Sequence, residues 1–212
     1  MIETLLPFLP AFLVAWGILF VGASSPGPAV AMLMGLSLSQ GRSAALIACT
    51  GIALGSATIN VLTILGVGLI LSQAAWAMML LKFAGSAYLA WLAYGAFRKA
   101  IHPPKIAATA VARQSAPALF AKGYLLQLTN PKAIAFWLAI AALGATANAP
   151  FWVIAFFVVS LAALSFTCHA AWALALSAAP VRAAYARLRA YVEGALGAFF
   201  AFAAFKLATS RI

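Results

Sequence analysis

The sequence predicts an all-α, polytopic membrane protein of about six transmembrane helices, arranged as two inverted three-helix repeats. Of its 212 residues 67% are apolar and only 7% are charged, and the mean hydropathy is +1.09. A soluble domain could not bury so much apolar surface, so lipid has to serve as its solvent. Because a bilayer core about 30 Å thick takes roughly 20 residues of helix, the chain has room for about six spans and no separate soluble domain.

Apolar runs and helix breakers place the individual spans. The predicted spans cover residues 10–38, 44–71, 74–97, 123–143, 151–179 and 191–208. The polar connector over residues 98–122 contains three prolines, which favour an extended linker over a domain. Residues 1–212 are therefore interpreted as a single transmembrane domain, with a first repeat of about residues 8–97 and a second of about residues 123–212.

The positive charge of the chain indicates its orientation in the membrane. Thirteen Lys and Arg residues against Glu3 and Glu193 give a net charge of +11, which in a soluble protein would suggest a nucleic-acid partner. Here the basic residues are concentrated in alternate connectors, where they face the cytoplasm and anionic lipid headgroups, so no nucleic acid is expected. The uncharged connectors 72–73 and 144–150 then lie outside. Both termini follow outside, although Lys206 and Arg211 argue against this placement.

An inverted repeat follows from this topology, because each half holds three spans and the halves start on opposite sides of the membrane. Two local matches support it. The segment Ser25-Pro26-Gly27-Pro28 in the first span corresponds to Asn130-Pro131-Lys132 in the fourth, and Gly85 in the third span corresponds to Gly194 in the sixth.

The prolines of the first and fourth spans predict helix breaks near the middle of the bilayer. Pro26, Pro28 and Pro131 lack a backbone N–H, so the carbonyls of Gly22, Ser24 and Gln127 lose their helical partners. Unpaired backbone groups cost several kcal/mol in hydrocarbon, so such breaks have to face protein or a water-filled cavity.

Two broken helices of this kind suit a zwitterion such as an amino acid. The helix after each break offers N–H groups and a positive dipole end to a carboxylate, and the carbonyls before each break suit an ammonium group. The alternative is that the prolines only kink the helices for packing. The predicted substrate-binding residues are Ser24, Ser25, Pro26, Gly27, Pro28, Thr129, Asn130, Pro131 and Lys132.

Four ionisable residues lie inside the predicted spans, where a charged side chain is costly, so each of them requires a functional or structural explanation. Lys132 could meet a substrate carboxylate, pair with Glu193, or extend to the cytoplasmic interface. Glu193, His169 and Lys82 are the candidates for proton coupling or gating. Their structural alternatives are a headgroup-level ion pair for Glu193, a hydrogen-bonded packing role for His169, and extension to the outer surface for Lys82.

Catalysis is not indicated, because no His, Cys and carboxylate cluster has metal-site spacing and no serine has a His and acid relay. Neither a metal nor a cofactor is expected. Cys49 and Cys168 lie inside apolar runs and are interpreted as packing residues. Gly51 and Gly55 form a small-xxx-small pair, which predicts close helix packing in the second span.

Four motifs together resemble those of the LysE/RhtB family of amino-acid exporters. They are Ser25-Pro26-Gly27-Pro28, Gly51-x3-Gly55, Lys82-x2-Gly85-x2-Tyr88-Leu89 through Gly95, and Asn130-Pro131-Lys132-Ala133. The resemblance covers nearly the whole chain. It implies export of lysine, arginine, homoserine, threonine, leucine or their analogues across the bacterial inner membrane, driven by the proton motive force. Family members often carry an acid after the second glycine of the second span, and Ser56 in that place favours a neutral amino acid.

Two other classes compete with an exporter. Thiol-redox membrane proteins of the same broad superfamily carry cysteines beside the prolines of the first and fourth spans, whereas this chain has Ser25 and Asn130 there. A non-transporting assembly subunit would not need paired breaks at the midplane. The expected partners are an amino-acid substrate, protons and membrane lipid, and the chain is either a monomer or a homo-oligomer.

Overall fold

The computed structural model describes residues 2–25, 27–71, 75–102, 113–141 and 143–209, and every regular element in these ranges is helical. A 3₁₀ turn at Leu6–Phe8 follows the first helix. The α-helices are α1 (Ile2–Leu5), α2 (Leu9–Ser24), α3 (Pro28–Ser39), α4 (Arg42–Leu71), α5 (Ala75–Ile101), α6 (Ala116–Thr129), α7 (Pro131–Ala141), α8 (Phe151–Ala175) and α9 (Ala179–Thr209). The predicted all-α membrane class is confirmed at this level.

Helix length and apolarity separate two kinds of element. Within the described ranges, four helical segments are long and apolar enough to cross a bilayer, namely Glu3–Ser24, Arg42–Gly66, Phe151–Ala175 and Ala179–Lys206. The apolar helices α3 and α7 have only 12 and 11 residues. At 1.5 Å per residue each spans roughly half of a 30 Å hydrocarbon core, so neither crosses it alone.

Several predicted boundaries were wrong: α8 ends at Ala175, before the predicted residue 179, whereas other helices extend further than hydropathy indicated. Helix α9 begins at Ala179 rather than at residue 191, and α5 and α6 extend into both ends of the predicted linker 98–122. Pro117 lies in the first turn of α6, where a helix tolerates the missing N–H, so this proline starts a helix. The connector 72–73 and residues 103–112 lie outside the described ranges.

Buried apolar clusters hold the broken helices at the centre of the molecule. One cluster joins α2, α7 and α8 through Phe12, Trp137 and Phe157. Others join α3 to α4, α6 and α8, and join α5 to α7 and α9 through Phe136 and Phe200. Each half-length helix therefore packs against at least three neighbouring helices.

Helices α4 and α6 approach each other closely at two glycines, each of which faces the backbone of the other helix. A Cβ atom added to Gly51 would lie 2.1 Å from the carbonyl oxygen of Phe120, and one added to Gly123 would lie 2.1 Å from that of Ala48. The predicted packing role of Gly51 is confirmed, and the structure identifies α6 as the partner. Gly55 joins the same contact, against Gln127 and Tyr124.

Candidate functional site at the two helix breaks

The first predicted break is present between α2 and α3. Ser25 has an extended backbone with ψ of 137°, Gly27 is extended at φ −169°, and α3 begins at Pro28. Pro26 lies outside the described residues. The backbone therefore leaves helical geometry between Ser24 and Pro28, as expected from the missing proline donors and from the restriction that a proline places on the residue before it.

The carbonyls released at this break already have protein partners, which corrects the expectation that they await a ligand. Gly22 O accepts hydrogen bonds from the backbone N–H of Ser25 at 3.4 Å and from its hydroxyl at 2.9 Å. Ser24 O accepts one from Trp172 Nε1 of α8 at 3.2 Å. The next carbonyl along, that of Ser25, accepts a hydrogen bond from the ammonium group of Lys132.

The second predicted break, between α6 and α7, is present too and is capped. Asn130 has ψ of 109°, and its N–H donates to Gln127 O at 3.3 Å. Its side-chain Oδ1 accepts the N–H of Lys132 at 3.1 Å and its carbonyl accepts that of Ile134 at 3.0 Å, so Asn130 is the N-cap of α7. By contrast Gly27, the N-cap of α3, makes no side-chain cap. The positive N-terminal end of α3 is therefore open, because no N-cap side chain covers it, whereas Asn130 caps that of α7.

Lys132 connects the two breaks. Its ammonium group donates to the Ser25 carbonyl at 2.9 Å and also to the Ser25 hydroxyl. Ser25 is 3% exposed, so this contact is shielded from bulk solvent. Lys132 lines a cavity together with Glu193, but among the residues that the structure describes no salt bridge joins these two side chains. The ammonium group of Lys132 points to the first break, where it occupies the carbonyl end that was expected to bind the substrate ammonium.

A small cavity with both polar and apolar walls lies between the breaks and α8. Its free volume for water is about 40 Å³, which is room for only a few water molecules. The polar side chains that line it are Ser25, Gln127, Asn130, Lys132, Ser165 and His169. Gly27, Ala29 and Val30 bring the open N-terminus of α3 to the same cavity, while Phe136 and Trp137 form apolar walls. An amino acid could enter only if the surrounding helices moved apart.

A chain of buried hydrogen bonds links three helices at the wall of this cavity. Gln127 Nε2 of α6 donates to Ser56 Oγ of α4 at 2.8 Å, and Ser56 Oγ lies 2.9 Å from Ser165 Oγ of α8. His169 Nδ1 lies 2.7 Å from the Ser165 carbonyl one turn before it. Sequence reasoning missed Gln127 and considered Ser56 only for its lack of charge. The available signal was a lone polar side chain inside an apolar run.

Of the other predicted substrate-binding residues whose side chains the structure describes, Ser24, Pro28 and Thr129 do not line this cavity. Thr129 is exposed and its hydroxyl donates to Leu125 O at 2.8 Å. Ser24 lines a shallow pocket beside Cys168 and Trp172. Pro28 and Pro131 begin α3 and α7. The side chain of Lys82, in α5, is outside the described part of the structure.

Glu193 is buried and lines a neighbouring cavity together with Lys132. Both cysteines are free and buried, Cys49 in α4 and Cys168 in α8. In the part of the chain that the structure describes, no cluster of three His, Cys, Asp or Glu residues could hold a metal ion.

Comparison with known proteins places this architecture in a family. The chain matches the family described as LysE type translocator over residues 20–211. It is 31% identical to the threonine efflux protein of Escherichia coli K12, in an alignment that covers 96% of this chain and 100% of that protein. It is 33% identical to the homoserine/homoserine lactone efflux protein of Salmonella typhimurium over 55% of each chain.

A further relative is an uncharacterized membrane protein of E. coli K12, 28% identical over 90% of this chain and 86% of that protein. No solved structure matches the chain significantly. The four apolar membrane-length segments agree with the membrane and efflux names of these relatives. The chain is therefore a multi-pass protein of the bacterial inner membrane that belongs to the LysE type translocator family.

Proposed function

We propose that the protein exports neutral amino acids, such as threonine or homoserine, from the cytoplasm, driven by the proton motive force. The observation that carries this proposal is the contact between Lys132 and Ser25, which joins two helix breaks beside one cavity. The relatives named as threonine and homoserine efflux proteins support the choice of solute.

The two ends of an amino acid find complementary groups in this cavity. The open N-terminus of α3 and the ammonium of Lys132 attract the carboxylate. When Lys132 turns to that carboxylate it leaves the Ser25 carbonyl, which then accepts the ammonium group of the substrate. Substrate thus replaces an internal hydrogen bond of the same kind, so no buried polar group is left without a partner.

The charge of the cavity favours a neutral amino acid. Its described lining includes the ammonium of Lys132 and no carboxylate. A second positive charge on a lysine or arginine substrate would have no counter-charge there, and like charges in a region of low dielectric repel strongly. Ser56, which bonds Gln127 and Ser165 beside the cavity, supplies no negative charge either.

Alternating access would come from the two halves rocking about the cavity as inverted repeats. In this arrangement α2 to α5 correspond to α6 to α9, with α2–α3 and α6–α7 each forming one interrupted span. The helix contacts support the correspondence, because α4 packs against α6 and α7 while its counterpart α8 packs against α2 and α3. Both chain termini then lie outside.

Efflux from proteoliposomes tests this function. Vesicles that contain the protein and are preloaded with labelled threonine should lose the label faster than protein-free vesicles when a proton gradient is imposed. A protonophore should abolish the difference. The same experiment with lysine should show slower loss, because the cavity carries no counter-charge for its side chain. The proposal is wrong if no neutral amino acid leaves faster than from protein-free vesicles.

A further inference from the structure

A second cavity, formed by α5, α7 and α9, adjoins the first. Its free volume for water is about 190 Å³, compared with about 40 Å³ between the breaks. Ser25 and Lys132 line both cavities, so the two are neighbours that share one wall. Lys99, in the last turn of α5, and Glu193 line only the larger cavity. The basic connector that follows α5 is predicted to be cytoplasmic, so the larger cavity lies toward the side from which an exporter takes its substrate.

Glu193 is the unusual feature of this cavity. The residue is 2% exposed, and its Oε1 accepts no hydrogen bond from any residue that the structure describes. Its ion-pair neighbour is Arg189, whose Nε lies 4.0 Å from that oxygen, beyond hydrogen-bonding distance. A buried carboxylate oxygen without a hydrogen bond is unfavourable, because its lost hydration is not replaced by a protein donor. Such an oxygen on a cavity wall indicates a place for a donor that the ligand supplies.

We propose that the larger cavity is a loading site, where the ammonium group of an amino acid binds Glu193 and its carboxylate binds Lys99 and Lys132. This inference rests on the proposed export function and adds a second substrate site to it. Trp91, Leu92 and Phe200 supply apolar surface for the substrate side chain. The ligand therefore contacts three charged residues that belong to α5, α7 and α9.

Lys132 connects the loading site with the smaller cavity between the two breaks. Because Lys132 lines both cavities, one ammonium group can hold the substrate carboxylate in the loading site and then guide it toward the open end of α3. The ammonium of the substrate exchanges Glu193 for the Ser25 carbonyl in the same movement. Each polar end of the substrate keeps a partner during transfer.

The charges of the loading site also select the substrate. Lys99 and Lys132 against Glu193 leave one net positive charge on the lining. A neutral zwitterion satisfies all three groups, whereas a cationic side chain adds repulsion in a region of low dielectric. The apolar wall favours a compact side chain without charge, such as that of threonine or leucine.

Replacing Glu193 and removing the substrate amine test the proposal together. Full-length protein and its Glu193→Gln variant in lipid nanodiscs are titrated with threonine and with 3-hydroxybutyrate, which lacks the amine. Glu193→Gln should weaken threonine binding at least tenfold and change 3-hydroxybutyrate binding less than twofold, because the carboxylate acts on the amine. Equal weakening of both ligands, or of neither, would overturn the loading site.

Two glycine variants, one inside the cavity and one outside it, test the loading site if Glu193→Gln fails to fold. A Cβ atom on Gly95, which lines the cavity, or on Gly17 in α2 would meet no atom within 4 Å. Gly95→Leu should weaken threonine binding at least tenfold, and Gly17→Leu should leave it unchanged. Full binding by Gly95→Leu would overturn the site. If wild-type protein exports threonine and these variants bind it normally, the loading site alone is refuted. If wild-type protein neither binds nor exports amino acids, the proposed function is refuted.

Discussion

Lys132→Met is expected to reduce threonine efflux from proteoliposomes at least tenfold. The change removes the ammonium group that bonds the Ser25 carbonyl and that we propose pairs with the substrate carboxylate. A charge-assisted hydrogen bond contributes about 1.5 to 3 kcal/mol, and 1.4 kcal/mol corresponds to a factor of ten. Methionine retains a similar length and apolar volume, so the loss reports on charge more than on packing. The initial rate of label release measures the effect.

Lys122→Met is the matched control. Lys122 lies in α6, the helix that ends at the second break, and is partly exposed, and it lines neither of the two cavities. The Lys122→Met substitution removes the same charge from the same half of the chain. Any effect of the lost charge on membrane orientation is therefore shared by the two variants. Efflux by Lys122→Met should equal that of wild type. Equal rates in Lys132→Met and Lys122→Met would contradict the role given to Lys132.

Gly51→Ala should lower the free energy of unfolding by about 3 kcal/mol or more. The added methyl group would lie 2.1 Å from Phe120 O, and a backbone oxygen cannot rotate out of the way, so α4 and α6 have to separate. Separation also lengthens the Gln127 to Ser56 hydrogen bond that joins the same two helices. Unfolding of the purified protein with increasing SDS, followed by circular dichroism, gives the change.

Gly66→Ala provides the comparison within the same helix. A Cβ atom at Gly66 would meet no atom within 4 Å, so only the helix propensity changes, and alanine is favoured over glycine by about 1 kcal/mol. This variant should therefore be as stable as wild type or slightly more stable. If Gly51→Ala behaves in the same way, the close approach of α4 to α6 is not present in the membrane.

The helix breaks were predictable because their cause is local. A proline acts on its own backbone and on the residue before it, so Pro28 and Pro131 indicated the interruptions without any tertiary information. The partners of the released carbonyls were not predictable. Trp172 is 148 residues from Ser24 in the sequence, and Lys132 is 107 residues from Ser25. Only the packing of α7 and α8 against the first break brings these donors to it.

Helix ends were predicted poorly because hydropathy reports burial in lipid and not the extent of helix. The start of α9 contains Arg182, Arg187 and Arg189, which reduce the hydropathy, but these residues and the alanines between them are good helix formers. The segment therefore continues as helix beyond the apolar run. The same reasoning explains α6, where Ala116 and Pro117 begin a helix inside the predicted linker.

The hydrogen-bonded contact of Ser56 with Gln127 and Ser165 shows what pattern alone misses. Each residue is a single polar position in an apolar helix, and the sequence does not show that α4, α6 and α8 meet there. The sequence indicated only that Ser56 carries no charge. Its structural role, as acceptor for Gln127 beside the cavity, became visible once the helices were assembled.

Substrate protection at Ser25 tests the central claim most directly. Ser25→Cys is made in a background with Cys49→Ala and Cys168→Ala, which removes both native thiols. The protein in proteoliposomes is then treated with a membrane-impermeant thiol reagent with and without threonine. We expect the introduced thiol to be modified, and threonine to slow that modification in a saturable manner. A modification rate that does not change at any threonine concentration, in protein that still exports threonine, would contradict a substrate site between the two helix breaks.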